Sequence, residues 1–240
     1  MQKAYSNDMA DLWEDKLPLF FMDLDKIKEI QLKEEQIQHL KSLRMYSVDK
    51  LIEVRDGKGN SHIYRIPAGQ TKGFLQREEY VTIEEKYISL ATAIPKSSRF
   101  EFLIQKGTEI GVTDFNFINF QQSERKDLNP ERVEKIIREA ASQSRRHSLP
   151  RVKHYKSLDK FIEENPKGGM ILHPYSEKQL DLSFPSELPV VIGPEGGLRD
   201  KEINQLLSKG FLSFSLGTPI LRIETACLYM ASIMKFRSFL

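Results

Sequence analysis

Two stretches near the end of the chain decide its fold: Ile192-Gly193-Pro194-Glu195-Gly196-Gly197 and Leu216-Gly217-Thr218-Pro219-Ile220-Leu221-Arg222-Ile223-Glu224-Thr225-Ala226. Each stretch follows a short apolar run, Leu188 to Ile192 or Phe211 to Leu216, that is typical of a buried strand. A segment with a helical pattern follows each of the two turns. The sequence therefore predicts ligand-facing, glycine-containing loops at the carboxyl ends of neighbouring strands, where open α/β sheets bind small molecules.

The chain from Tyr87 onward predicts strands that alternate with helices, which is the pattern of a mostly parallel sheet. The predicted strands are Ile88–Ile94, Val112–Phe120, Met170–Leu172, Val190–Ile192 and Leu212–Leu216. The predicted helices are a segment that contains Phe100 and ends at Gly111, a segment capped by Asn129 with Pro130 at its first position, Asp200–Lys209, and Thr225–Phe239. Asp200 is the residue that we expect to cap the third of these helices.

The first third of the chain predicts a small β-rich domain that follows a polar extension of residues 1–17. Glu34 to Leu43 has a helical pattern, with Ile37, Leu40 and Leu43 on one face. Leu51–Arg55 and His62–Ile66 alternate on either side of a glycine-containing turn, which is the signature of a β-hairpin.

Composition excludes several classes of protein. The only cysteine, Cys227, rules out an internal disulfide and a cysteine-based metal site, and it lies among apolar residues that predict a core position. No apolar run reaches the ~18 residues that a membrane span needs, and the acidic N-terminal residues do not resemble a signal peptide. We therefore expect a cytoplasmic protein with no membrane or metal partner. Because the net charge is only +2, any nucleic-acid site must be a local basic patch.

These motifs resemble those of the RsmE family of SPOUT methyltransferases. The resemblance extends to Gln105–Val112, to Ala140–Arg145, to His39-Leu40 with Arg44, and to Asp56–Gly59, and so covers the chain from about Leu19. It implies a PUA-like RNA-binding β-barrel at residues 18–84. It also implies an α/β, trefoil-knotted, parallel-sheet methyltransferase domain at residues 85–240. The implied activity is S-adenosylmethionine-dependent methylation of N3 of one uridine in 16S (small-subunit) ribosomal RNA, by a homodimer acting on RNA of the ribosomal particle.

The resemblance also implies where the cofactor S-adenosylmethionine binds. The implied residues form three loops: Leu172, His173 and Pro174; Ile192, Gly193, Pro194, Glu195, Gly196 and Gly197; and Leu216, Gly217, Ile220, Leu221, Arg222, Glu224, Thr225 and Ala226. Methylation of uracil N3 leaves negative charge on the flanking oxygens, and Arg222 is the predicted catalytic cation. Arg222 could instead form a structural ion pair with Glu224 or Glu195.

RNA contacts are predicted at basic residues of both domains: Lys96, Arg99, Lys106, Arg145 and Arg44. The densest basic run, residues 145–154, includes one of them. Two other functions stay open at this point. One is a related SPOUT enzyme that methylates transfer RNA or a ribose 2′-hydroxyl, and the other is a non-catalytic RNA-binding factor in ribosome assembly.

Overall fold

The structure, a computed structural model, describes residues 17–24, 28–84, 86–181, 183–184 and 187–239. These residues form two compact units. The N-terminal unit contains the described residues up to Ile83 together with Ser142–Ser148, and the α/β unit contains Glu84–Ala141 and the described residues from Leu149 onward. All but Leu17 of the predicted N-terminal extension lies outside the described residues.

The N-terminal unit is built on a five-stranded sheet with the order β1-β3-β4-β5-β2. Its elements are β1 (Leu19–Phe21), β2 (Glu29–Gln31), α1 (Glu34–Ser42), β3 (Lys50–Arg55), β4 (Asn60–Ile66) and β5 (Lys72–Tyr80). β1 and β3 are parallel, whereas the other pairs are antiparallel, and β3 with β4 is the predicted hairpin. Leu43 was predicted to share one face of this helix with Ile37 and Leu40; α1 ends before Leu43, whose side chain is exposed.

A buried ion-pair network explains why residues 142–148 pack with the N-terminal unit. The carboxylate of Glu53 accepts hydrogen bonds from Arg55, Ser61 and Arg145. Nη1 of Arg55 donates to the backbone carbonyls of Arg145 and Arg146 at 2.6 and 2.9 Å. The chain therefore leaves the N-terminal unit after Ile83, returns to it at Ser142 and leaves it again after Ser148, whereas a single boundary near residue 84 was predicted.

The α/β unit contains a six-stranded sheet, entirely parallel, with the order β11-β9-β10-β6-β7-β8. Its strands are β6 (Ser89–Thr92), β7 (Asp114–Ile118), β8 (Arg151–Tyr155), β9 (Met170–Leu172), β10 (Val190–Ile192) and β11 (Leu212–Phe214). Its helices are α2 (Ser97–Ile110), α3 (Pro130–Gln143, whose last two residues belong to the N-terminal unit), α4 (Leu158–Glu164), α5 (Asp200–Ser208) and α6 (Ile223–Arg237). All residues of β6, β7, β9 and β10 are buried, and the continuous apolar runs of β9 and β10 predict this burial.

Local signals placed two helix ends correctly, whereas the last helix, predicted at Thr225–Phe239, spans Ile223–Arg237. Gly111 adopts a left-handed conformation with φ 112° and ends α2, and the side chain of Asn129 accepts a hydrogen bond from the backbone N–H of Arg132 at 3.0 Å. The prediction that Asp200 caps α5 is wrong, because Arg199 is the residue before the first turn. The buried carboxylate of Glu202 accepts the Arg199 backbone N–H at 2.9 Å, so this helix start is satisfied from its third position.

β8 and α4 were not predicted from the sequence. β8 is the edge strand of the sheet, and its residues Arg151-Val152-Lys153-His154-Tyr155 were interpreted as part of a basic cluster. Arg151 pairs with Asp114 at 2.7 Å, and Lys153 pairs with Glu164 at 2.7 Å. The cationic groups of this strand are thus matched by acidic neighbours.

The expected architecture, a small β-rich unit followed by an α/β unit with a parallel sheet, is confirmed, and the trefoil knot stays a prediction. Within the described part of the chain, no helix has the length and apolar character that crossing a membrane requires.

Candidate functional site

A cleft of about 690 Å³ lies at the carboxyl edge of the parallel sheet of the α/β unit. Its walls are the segments that follow β9, β10 and β11, three strands that are neighbours in the sheet. α2, which follows the next strand β6, contributes Arg99. The predicted convergence of two glycine-containing loops is therefore observed, and a third loop joins them.

Most of the predicted cofactor residues are brought together in this cleft. All of them line it except Glu224, which is buried behind the first turn of α6, and Thr225, which is exposed. The lining also includes residues that were not predicted to contact the cofactor: Arg99, Tyr175, Leu198, Asp200, Pro219 and Ile223. Arg99 and Tyr175 lie outside the two glycine motifs, and the folded sheet places them beside those loops; the other four residues lie within or next to the motifs in the sequence.

The glycines of the cleft have different physical reasons to be glycine. A Cβ on Gly193 would lie 2.9 Å from the Leu198 side chain, and a Cβ on Gly196 would collide with the amide of Gln122. A side chain at either position would therefore require Leu198 or Gln122 to move, whether or not a ligand binds. Gly217 is different, because it has φ 78° and a Cβ there would meet no heavy atom within 4 Å. Its backbone borders open space in the cleft.

Ser215 joins two of the three loops. Its hydroxyl donates to the carbonyl of Pro174 at 3.1 Å and accepts the backbone N–H of Gly217 at 3.0 Å. The backbone N–H of His173 also donates to the carbonyl of Phe214 at 2.9 Å. The loops after β9 and β11 are thus fixed to each other by hydrogen bonds.

The glycine loop after β10 is held by two polar side chains. The amide of Gln122 donates to the carbonyl of Gly196 and accepts from the guanidinium of Arg199. The carboxylate of Glu202 accepts the backbone N–H groups of Gln121 and Arg199, both at 2.9 Å. Because removal of the buried Glu202 carboxylate would leave both N–H groups without this acceptor, Glu202 stabilises the segment that follows the loop.

Arg99 takes the carboxylate partners that were considered for Arg222. The guanidinium of Arg99 lies 3.6 Å from the Glu224 carboxylate and 4.0 Å from the Glu195 carboxylate. Among the described residues, no carboxylate lies within 4.0 Å of the Arg222 guanidinium, so the structural ion pair considered for it is absent there. Arg222 is exposed, precedes α6 and lines the cleft. The charge of Arg222 is therefore the less compensated of the two.

The predicted RNA-contacting residues fall into two groups. In the α/β unit, Lys96 lies 3.3 Å from Glu124, and Lys106 donates to both carboxylate oxygens of Glu109. In the N-terminal unit, Arg44 is exposed, whereas Arg145 is tied to the buried Glu53. The internal pairing of Arg145 gives this residue a structural role. RNA contact at the five positions stays a prediction.

The fold and the cleft define a class of protein: an α/β domain with a small-molecule site at the carboxyl ends of neighbouring parallel strands. The family model described as "RNA methyltransferase domain" matches residues 83–235. The chain belongs to this family.

Individual relatives agree with this assignment. The chain is 34% identical over 172 residues to the ribosomal RNA small subunit methyltransferase E of Bacillus subtilis, covering 63% of this chain and 66% of that protein. It is 37% identical over 153 residues to the protein of the same name from Synechocystis, covering 58% of this chain and 50% of that one. The matches thus span about half to two thirds of these relatives.

A solved structure gives the same assignment over more of the chain. The Neisseria gonorrhoeae ribosomal RNA small subunit methyltransferase E, bound to S-adenosyl methionine, aligns with a TM-score of 0.79 and 27% identity, covering 92% of this chain and 97% of that one. The resemblance to the RsmE family is confirmed. Within the described ranges, no group of three or more His, Cys, Asp and Glu side chains is placed to hold a metal ion.

Cys227 provides a test of the packing behind the cleft. It is completely buried in α6, and burial raises the pKa of its thiol to about 12. We expect the native chain at pH 8 to react with a disulfide reagent far more slowly than a free thiol does, because the thiolate is the reacting species. Unfolding in denaturant should release one reactive thiol per chain. Rapid labelling of the folded protein would contradict the core position.

Proposed function

We propose that this protein transfers a methyl group from S-adenosylmethionine to N3 of a uridine in small-subunit ribosomal RNA. The proposal places the protein in the cytoplasm, where its substrate is assembled. Family membership supports RNA methylation, and the RsmE relatives support the ribosomal substrate. The single observation that carries the proposal is the cleft built from the loops after β9, β10 and β11.

The cleft has suitable residues to hold S-adenosylmethionine. Gly217 leaves its backbone accessible, and the buried aliphatic side chains of Leu172 and Ile192 line the same space. An apolar wall with a few polar backbone groups is the usual composition of a small-molecule site. When bound, S-adenosylmethionine supplies an electrophilic methyl group. The loops orient it, because Ser215 ties two of them together.

Arg222 supplies the charge that the uracil requires. Loss of the N3 proton places negative charge on the two flanking carbonyl oxygens, and a fixed cation stabilises this charge in a site from which water is excluded. Arg222 lines the cleft, and no described carboxylate neutralises it within 4.0 Å. Arg99 is a weaker candidate, since Glu195 and Glu224 lie beside it.

The proposed reaction can be separated from its alternatives by product analysis. The protein would be incubated with isotope-labelled S-adenosylmethionine and small ribosomal subunits from a strain that lacks this protein, and the RNA would then be digested to nucleosides for mass spectrometry. Labelled 3-methyluridine is the expected product. A labelled 2′-O-methyl nucleoside, or label found only in transfer RNA, would identify a related methyltransferase instead. Cofactor binding without label transfer would favour the assembly factor.

Gly217 allows a matched test of cofactor binding. Gly217 and Gly210 both have positive φ and open space around a Cβ, but only Gly217 lines the cleft. An alanine at either position adopts the same strained conformation, at a cost of roughly 1–2 kcal/mol. We expect Gly217→Ala to weaken S-adenosylmethionine binding at least tenfold and Gly210→Ala to leave it within twofold, as measured by calorimetry. Equal affinities in the two folded variants would remove Gly217 from the site.

Arg222→Ala should separate chemistry from cofactor binding. Losing one preorganised donor at a developing oxyanion costs roughly 10²–10³ in rate, so single-turnover methylation should slow by that factor while cofactor affinity changes little. Arg222→Lys should restore little, because an ammonium lacks the planar fork of a guanidinium. Arg138→Ala, at an exposed pair with Glu134 on α3, is the control. Wild-type turnover in folded Arg222→Ala would exclude the catalytic role.

We also propose that the protein is a homodimer that uses the outer face of α6. The sequence predicts an excess of apolar residues on this helix; Met230 and Met234 are buried within the chain, whereas Tyr229 and Phe236 remain exposed. The exposed Tyr229 and Phe236, together with Leu180 and Ile233, line an apolar groove of about 330 Å³. We expect light scattering at micromolar concentration to give twice the chain mass. A monomer mass, or a dimer that Tyr229→Glu does not dissociate, would contradict this interface.

A further inference from the structure

Tyr175 is an aromatic residue whose position the fold does not explain. It follows β9 by three residues, lines the cleft and is 81% exposed. A large aromatic side chain contributes to stability mainly through buried area, and a ring that exposed buries little. Its ring is therefore accessible to a partner outside the chain.

The turn that carries Tyr175 is fixed by hydrogen bonds on both sides. The backbone N–H of Ser176 donates to the carbonyl of His173 at 3.1 Å, and the hydroxyl of Ser215 donates to the carbonyl of Pro174 at 3.1 Å. The Tyr175 ring also packs edge-on against the His173 ring, with centroids 5.7 Å apart and planes at 69°. The ring is thus presented to solvent by a braced turn.

The cleft needs a flat surface for a nucleic-acid base, and Tyr175 is the only Phe, Tyr or Trp among its described lining residues. An enzyme that modifies a ring nitrogen must take the base out of its stack, and proteins hold such bases against aromatic side chains. Arg222 can supply charge to a uracil but does not replace this surface. We infer that Tyr175 is the stacking platform for the unstacked RNA base that enters the cleft, an inference that rests on the proposed function.

An adenine ring of the cofactor would present the same chemistry to Tyr175. The RNA base is favoured because Tyr175 is exposed, whereas Leu172 and Ile192, which line the same cleft, are buried. A small molecule enclosed by the cleft would contact those aliphatic side chains. A base that arrives from solvent as part of a large RNA meets the exposed ring.

The inference is tested with the full chain by two measurements on each variant. Tyr175→Leu removes the aromatic face, Tyr175→Trp keeps one, and Phe102→Leu removes a ring that is 48% exposed on α2 and does not line the cleft. The first measurement is filter binding of labelled small-subunit ribosomal RNA to the protein saturated with S-adenosylmethionine. The second is calorimetric titration with S-adenosylmethionine alone. Melting curves establish that each variant is folded.

Tyr175→Leu should weaken RNA binding roughly 5- to 100-fold, the range for loss of one base–aromatic stack, with cofactor affinity within twofold of wild type. Tyr175→Trp should recover most of the lost RNA affinity, and Phe102→Leu should bind RNA as the wild type does. Unchanged RNA binding in Tyr175→Leu, or an equal loss in Phe102→Leu, overturns the inference. Weaker cofactor binding in Tyr175→Leu would assign the ring to the adenine instead. Because neither readout requires catalysis, wild-type protein that binds both partners without methylation would defeat the proposed function alone.

Discussion

The shared register of neighbouring parallel strands is the constraint on which the rest of the site depends. Leu172, the last residue of β9, pairs with Ile192 of β10 on one side and with Phe214 of β11 on the other. Three strands therefore end at the same level, and the chain must leave all three at one edge of the sheet. Burial fixes this register, because β9 and β10 lie wholly within the core. The cleft is a consequence of where these strands end.

Polar side chains then convert three strand ends into one site of defined shape. Ser215 joins the loops after β9 and β11, and Glu202 and Gln122 support the loop after β10. Arg99 lies within 4.0 Å of the carboxylates of Glu195, in the loop after β10, and Glu224, in the first turn of α6. Arg222 has no described carboxylate within 4.0 Å, and the Tyr175 ring packs edge-on against His173 while remaining 81% exposed.

The sequence predicted what depends on local patterns. Apolar runs located the buried strands, Gly111 and Asn129 marked helix ends, and the glycine motifs located the loops of the cleft. The edge strand β8 was not predicted, because one face of an edge strand need not be apolar. Its alternating basic residues were therefore interpreted as a charged surface. The helix α4, which follows β8 in the sequence, has only seven residues, and so short a segment shows little helical periodicity.

Interactions between distant residues were beyond sequence reasoning. Arg145 was predicted as an RNA contact, and nothing in the sequence indicated its pairing with Glu53, which lies 92 residues earlier in the chain. The carboxylates considered as partners of Arg222 belong to Arg99 instead. Ser215 has no motif of its own, and its role follows from the adjacency of β9 and β11 in the sheet. Such pairings are set by the folded topology, so the residue types alone do not reveal them.

Hydrogen–deuterium exchange with and without S-adenosylmethionine tests most directly the central claim that three strand ends form one cofactor site. Peptides that cover residues 172–175, 192–197 and 216–222 should all gain protection at the same cofactor concentration. Peptides from β3 and β4 of the N-terminal unit, residues 50–66, should exchange as before. Protection of only one of the three loops, or protection confined to the N-terminal unit, would contradict the account.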